Sequence, residues 1–252
     1  MGTQMTIWET QYEKPNKPMN VLVACEESQT VCKAFRERGH NAFSCDIQEC
    51  NGGHPEWHIC GDVLKVLNPK DINCTLPLDE YNNYVYGIEF ITLDGKHHFI
   101  NGKWDLIIAH PPCTYLTGAG ACNIPKNPER IPLGFDSAEF FLKMLNADCN
   151  KIVVENPPPM KRFNLPKYNQ LVRPYMFGES NNKPICLWLK GVEELKPTNI
   201  VDKDKDIVRW VHKATGEKKS CSKWYNTNTN QHRKHRSKTF EGVAKAMAEQ
   251  WG

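Results

Sequence analysis

The run Trp104-Asp105-Leu106-Ile107-Ile108-Ala109, stopped by His110-Pro111-Pro112-Cys113, constrains this chain most. An unbroken apolar stretch from Leu106 to Ile108 predicts a strand buried on both faces, as in a parallel sheet. Two prolines end that strand and stiffen the backbone beyond it. Cys113 is then expected at the strand's carboxyl end, where open α/β sheets place their sites. A thiol held on a rigid turn in that position is placed to act as a nucleophile.

The amino-terminal half predicts the sheet's first unit. Val21 to Ala24 read as a strand, Gln29 to Arg38 as a helix, and Ala42 to Cys45 as a second strand ending at Asp46. That is one βαβ unit of a doubly wound sheet. Ile152 to Val154 predict another buried strand, with Glu155-Asn156 at its end. Residues 71–103 read as an insertion, whose Ile88 to Ile100 portion folds back at Asp94-Gly95 as a hairpin. Ser237 to Gly252 predict a closing helix, with Val243, Met247 and Trp251 on one face. Residues 1–18 read as a polar extension, and Lys190 to Lys213 as connection more than core. With 252 residues and 40% hydrophobic content, residues 19–252 suffice for one α/β domain.

The segment Pro111-Pro112-Cys113-Thr114-Tyr115-Leu116-Thr117-Gly118-Ala119-Gly120 resembles the nucleophile loop PPCQxFSxAG of the cytosine-5 DNA methyltransferase family. Pro111, Pro112, Cys113, Ala119 and Gly120 match outright. Glu155-Asn156 match the family's Glu-Asn-Val, with Pro157 departing. Phe177 to Leu189 are similar to YGVPQxRxRxFIV: Gly178 matches, Asn181 replaces Gln, Lys183 keeps one basic position, and Ile185 loses the second Arg. The chain most resembles small, phage-encoded members of that family. The resemblance implies a Rossmann-like doubly wound mixed sheet and S-adenosylmethionine as cofactor.

It also implies residue roles. Cys113 would be the nucleophile, with Glu155 and Asn156 completing the catalytic set. Ala24, Cys25, Glu26, Ser28, Asp46, Asp62 and Pro111 would line the cofactor site, and Thr117, Lys183, Arg233 and Arg236 would meet the substrate. The family's first turn is glycine-rich, whereas Cys25-Glu26-Glu27-Ser28 contain no glycine to supply positive φ. Ser28 is expected to cap the following helix, and Glu26 or Glu27 to meet the sulfonium or amino group. Cytosine carbon 5 becomes nucleophilic once a thiolate adds at carbon 6, with Glu155 holding the ring nitrogen and exocyclic amine. Lys183 and His110 are the candidates for helping Cys113 ionise.

Eleven cysteines, an odd count at irregular spacings without a secretory signal, predict reduced thiols and a cytoplasmic protein, in the host cytoplasm if phage-encoded. No apolar run has membrane-spanning length, so no membrane partner is expected. The net charge is only +3, but Lys218, Lys219, Lys223, Arg233, Lys234, Arg236 and Lys238 interleave with Trp224 and Tyr225. That pattern suits phosphate contact and base stacking, hence DNA as partner, or equally a solvated loop. A free cytosine nucleotide is the alternative substrate, because residues 190–236 leave room for only a reduced recognition segment. A catalytically inactive DNA- or protein-binding homologue is the third reading. Cys45, Cys50, His54, His58 and Cys60 form the densest Cys/His cluster, yet they contain no CxxC pair, and no metal is expected. A zinc deaminase has an HxE in His54-Pro55-Glu56 but lacks the second cysteine of PCxxC.

Overall fold

In a computed structural model, the chain is described over residues 17–72, 85–203, 207–212, 215–222 and 239–252. The four expected runs become strands β1 (Asn20–Ala24), β2 (Asn41–Asp46), β7 (Leu106–Ala109) and β8 (Ile152–Asn156), and β3 (His58–Cys60) and β10 (Ile185–Lys190) join them. With the short β9 (Gln170–Val172), they form a seven-stranded sheet in the order β3-β2-β1-β7-β8-β10-β9. The first five are mutually parallel, and β10 runs antiparallel to both β8 and β9. The order reverses at β1, which pairs with β2 on one side and β7 on the other. Loops leaving the carboxyl ends of β1 and β7 therefore diverge and open a crevice between them.

Side chains alternate across this sheet, as strand geometry requires. Leu22, Cys45, Ile107 and Val154 face Phe141 and Met144 of α2 (Arg130–Leu145). Val21, Val23, Ile108 and Val153 face α1 (Thr30–Glu37) and α3 (Glu241–Trp251). Val243, Met247 and Trp251 are buried against that second face, and Trp251 Nε1 donates to the Glu193 carbonyl at 3.0 Å. Sequence reasoning did not register α2. Its Pro132 is the third helical residue, where the N–H has no intrahelical partner to lose, and Gly134 packs against Phe163.

The insertion is a three-stranded antiparallel sheet of β4 (Lys70–Ile72), β5 (Val85–Ile91) and β6 (His97–Asn101). Gly95, at φ 86°, supplies the turn expected at Asp94-Gly95. Two expectations need correction. Lys190 to Lys213 are more than connection, because Leu195 is buried, with both its backbone groups bonded to the Gln170 side chain. β11 (Ile207–Val211) lies in the same stretch and pairs with β12 (Lys218–Ser222). The expected extension at residues 1–16 lies outside the described residues. Among the described residues, no helix is long and apolar enough to cross a membrane.

Candidate active site

The crevice is built from four segments: the turn after β1, the loops after β7 and β8, and the segment before β10. The first turn lacks glycine but adopts the conformations glycine would supply, with Cys25 at φ 60° and Gln29 at φ 58°. Left-handed backbone in non-glycine residues is costly and persists only where the surroundings impose it. Here the Cys45 carbonyl accepts from both Cys25 and Glu26 amides, and the buried Gln29 side chain is fixed by Ser44 and His54. The short sequence pattern could not show this restraint.

Two expected cofactor roles are corrected. Glu26, not Ser28, caps α1: its carboxylate accepts from Val31 N at 2.7 Å and Cys32 N at 3.2 Å. Glu26 is 3% exposed, so it is committed to the helix and does not stand open to a sulfonium. A carboxylate suits a helix amino terminus because the free N–H groups and the dipole favour negative charge there. Ser28 instead shares a hydrogen bond with the Thr30 hydroxyl. Ala24 is buried in the sheet, its carbonyl accepting from His110 N.

Cys25, Asp46 and Asp62 do converge. Burial and then the fields of Asp46 and Asp62 push the Cys25 thiol up to about 12, so it stays protonated. Asp46 accepts from Gln48 N, and Asp62 caps the turn at Leu64. Ile47, which sequence reasoning passed over, is 79% exposed beside Asp46. Its exposure, rather than any motif, is the signal.

On the far side of the crevice, Cys113 and Glu155 come together at the ends of the neighbouring strands β7 and β8. The two loops are stitched by the backbone bond from Met160 N to the Leu116 carbonyl and by a bridge between Thr117 and Pro159. Burial raises the Cys113 thiol above its ordinary value; Lys183 works against that shift and Glu155 adds to it. Glu155 is nearly buried, and its Oε2 lies 3.0 Å from His110 Nδ1. Burial favours a neutral carboxyl, but the His110 hydrogen bond and the positive charge of Lys183 hold Glu155 below its ordinary range. Lys183 thus joins the site from the segment before β10, as its position in the sequence suggested.

Two other assignments change. Asn156 points to the opposite face of β8 from Glu155, is buried, and donates from Nδ2 to the Pro111 carbonyl at 2.8 Å. It fixes the proline turn that carries Cys113 and is a positioning residue. Thr117 is also buried, and its hydroxyl donates back to the Cys113 carbonyl at 3.2 Å, bracing the loop instead of meeting a substrate. Arg233 and Arg236 lie outside the described residues, as does most of the basic and aromatic segment. The Cys/His cluster disperses: His58 bonds Ser44 and the Gln48 carbonyl, His54 stacks on Trp57, and Cys45 is buried in the sheet. Among the described residues, no three His, Cys, Asp or Glu side chains stand close enough together to hold a metal ion.

The start of the closing helix meets the segment that carries Lys183. Gly242 N donates to Glu179 Oε1 at 2.7 Å, and Lys183 Nζ stands 6.0 Å from the Phe240 ring centroid. Exposed cations follow both loops in the sequence. Lys126 lies between the Cys113 loop and α2, Lys161 and Arg162 follow β8, and all three are exposed. Arg130 packs its guanidinium over Tyr115 and donates to the Thr114 carbonyl. The chain matches no protein-family model and no curated protein.

Proposed function

We propose that this chain is a Rossmann-like, S-adenosylmethionine-dependent methyltransferase that modifies carbon 5 of cytosine in DNA through a covalent adduct at carbon 6. The observation that carries this reading is the convergence of Cys113 and Glu155, from separate sequence motifs, at one end of adjacent parallel strands. Cys113 Sγ adds to carbon 6, while Glu155 holds N3 and the exocyclic amine where charge develops. Lys183 favours the thiolate, and Asn156 keeps the proline turn in place.

The cofactor's chemistry fits the opposite side of the crevice. Carboxylates at Asp46 and Asp62 suit ribose hydroxyls and an adenine amine, and the exposed face of Ile47 suits the flat base. Bound there, S-adenosylmethionine would supply the methyl group. The strained turn at Cys25 lets the backbone approach closely without glycine. What supports DNA over a free nucleotide is the exposed Lys126, Lys161 and Arg162 in the segments after the Cys113 loop and β8, since one nucleotide phosphate would not need all three.

Labelled methyl transfer into duplex DNA, single-stranded DNA and free cytosine nucleotides tests the reading. Label in DNA that disappears with Cys113→Ser supports it. Label in free nucleotides alone moves the substrate. No label in any acceptor, with no cofactor binding, sinks the enzyme and leaves an inactive binding protein.

A further inference from the structure

We propose that His110 is the proton reservoir behind Glu155, so that the two side chains act as one dyad holding a single exchangeable proton for cytosine N3. This rests on the methyltransferase reading and adds a residue to it. His110 extends β7 by one position, and its backbone N–H is tied to the Ala24 carbonyl at 2.9 Å. The imidazole therefore sits where β1, β7 and β8 meet, its side chain only 9% exposed and its Nδ1 3.0 Å from Glu155 Oε2. His110 Nε2 is buried and has no hydrogen-bond partner among the described residues. Among the described residues, the imidazole's one hydrogen bond is to Glu155.

The groups facing the imidazole come from every element around it. Glu155 approaches from β8, Glu26 from the turn after β1 and Lys183 from the segment before β10. Burial alone would favour neutral imidazole, as would Lys183. The hydrogen bond and charge of Glu155, with Glu26 adding, outweigh them and leave His110 above its ordinary value. The 3.0 Å contact lets one proton lie between His110 Nδ1 and Glu155 Oε2, and the surroundings favour it on the imidazole side, with Glu155 as carboxylate.

That assignment poses a chemical requirement. When the Cys113 thiolate forms the Sγ–C6 bond, electron density moves towards N3, which becomes basic. A bare carboxylate has no proton to give. The dyad does: its proton passes through the Glu155 carboxyl group to N3, leaving neutral imidazole beside a carboxylate. After carbon 5 has taken the methyl group, its hydrogen leaves as a proton to solvent water; that C–H pair re-forms the C5–C6 double bond, the Sγ–C6 pair returns to sulfur, and the N3 proton returns to the dyad. No oxidant or further reactant is involved. Turnover must then fall on the alkaline side as His110 loses its proton, while the rising limb reports Cys113 ionisation.

The test has two readouts. In the protein without substrate or cofactor, the His110 imidazole should titrate above 6.5 by NMR, and Glu155→Gln should lower that value. An imidazole titrating at or below 6.5 in the wild type overturns the dyad, whatever a variant does. In methyl transfer, His110→Asn retains an N–H donor for Glu155 but cannot titrate. The expected result is a kcat at least tenfold lower, a nearly unchanged KM and no alkaline limb. His110→Gln serves the same purpose if His110→Asn does not fold. An active variant with the wild-type alkaline limb overturns the dyad alone. A wild type inactive on every acceptor overturns the methyltransferase reading beneath it.

Discussion

Nδ1 of His110 lies 3.0 Å from Oε2 of Glu155, linking the ends of β7 and β8 inside the crevice. The pair has a definite pH signature in stability. His110 is raised above 6.5, so its contribution is complete below that pH and fades as pH rises through the folded value. Glu155 is held below 4.5, so its contribution is complete above that pH and fades as pH falls through the folded value. Denaturant midpoints of wild type and His110→Asn should therefore differ most between 4.5 and 6.5 and converge towards pH 9. A constant difference across that range would contradict the ionic character of the pair.

The Cys113 thiol is raised by burial, with Lys183 opposing. Iodoacetamide should modify it slowly at neutral pH and faster as pH increases, with peptide mapping separating it from the exposed Cys60. Lys183→Met should push the thiol higher and slow the reaction several-fold at pH 8. Equal rates in the two proteins would remove Lys183 from the thiol's environment.

Glu26 caps α1 with two hydrogen bonds while almost wholly buried, and burial raises its carboxyl above the usual range against the pull of His110 and the two N–H groups. Replacing it by alanine leaves two helix N–H groups without their acceptor, and should cost about 1–2 kcal/mol in chemical denaturation. Cofactor affinity lost without any loss of stability would instead return Glu26 to the role first expected of it.

Gly242 packs its α-carbon against the Phe177 carbonyl, where an added methyl would overlap backbone. Gly242→Ala should destabilise by about 1–3 kcal/mol, outweighing alanine's better helix propensity. Thermal unfolding with an unchanged midpoint would mean that the start of α3 is not held against that segment.

If Lys161 and Arg162 contact phosphates, replacing both by alanine should weaken duplex binding and reduce the log–log salt slope by about 2. A parallel slope at lower affinity would place them outside the DNA footprint.

Much of the core architecture was legible because it rests on local chemistry. The strands at Val21, Leu106 and Ile152 declare themselves by apolar runs, and the closing helix by the spacing of Val243, Met247 and Trp251. The convergence of Cys113, Glu155 and Lys183 followed from motif order. Glu26 was misread because a cap five residues before its amide partner depends on the left-handed turn at Cys25, which no residue type there announces. Asn156 was misread because adjacent strand residues face opposite ways, and its partner, the Pro111 carbonyl, becomes visible only when β7 and β8 pair. α2 went unread between two motif-bearing segments, though Ala138, Phe141 and Met144 recur at helical spacing and are buried.

The central claim is that Cys113 adds to carbon 6 of cytosine with Glu155 behind the ring. Solvent exchange of the carbon-5 hydrogen, followed as tritium release from 5-tritiated cytosine in duplex DNA without any methyl donor, tests it most directly. That addition makes carbon 5 basic, so water can protonate it and the label can leave. Release by wild type, abolished by Cys113→Ser and cut at least a hundredfold by Glu155→Gln, is the predicted result. Release that survives Cys113→Ser, or its absence from a wild type that binds the DNA, would contradict the account.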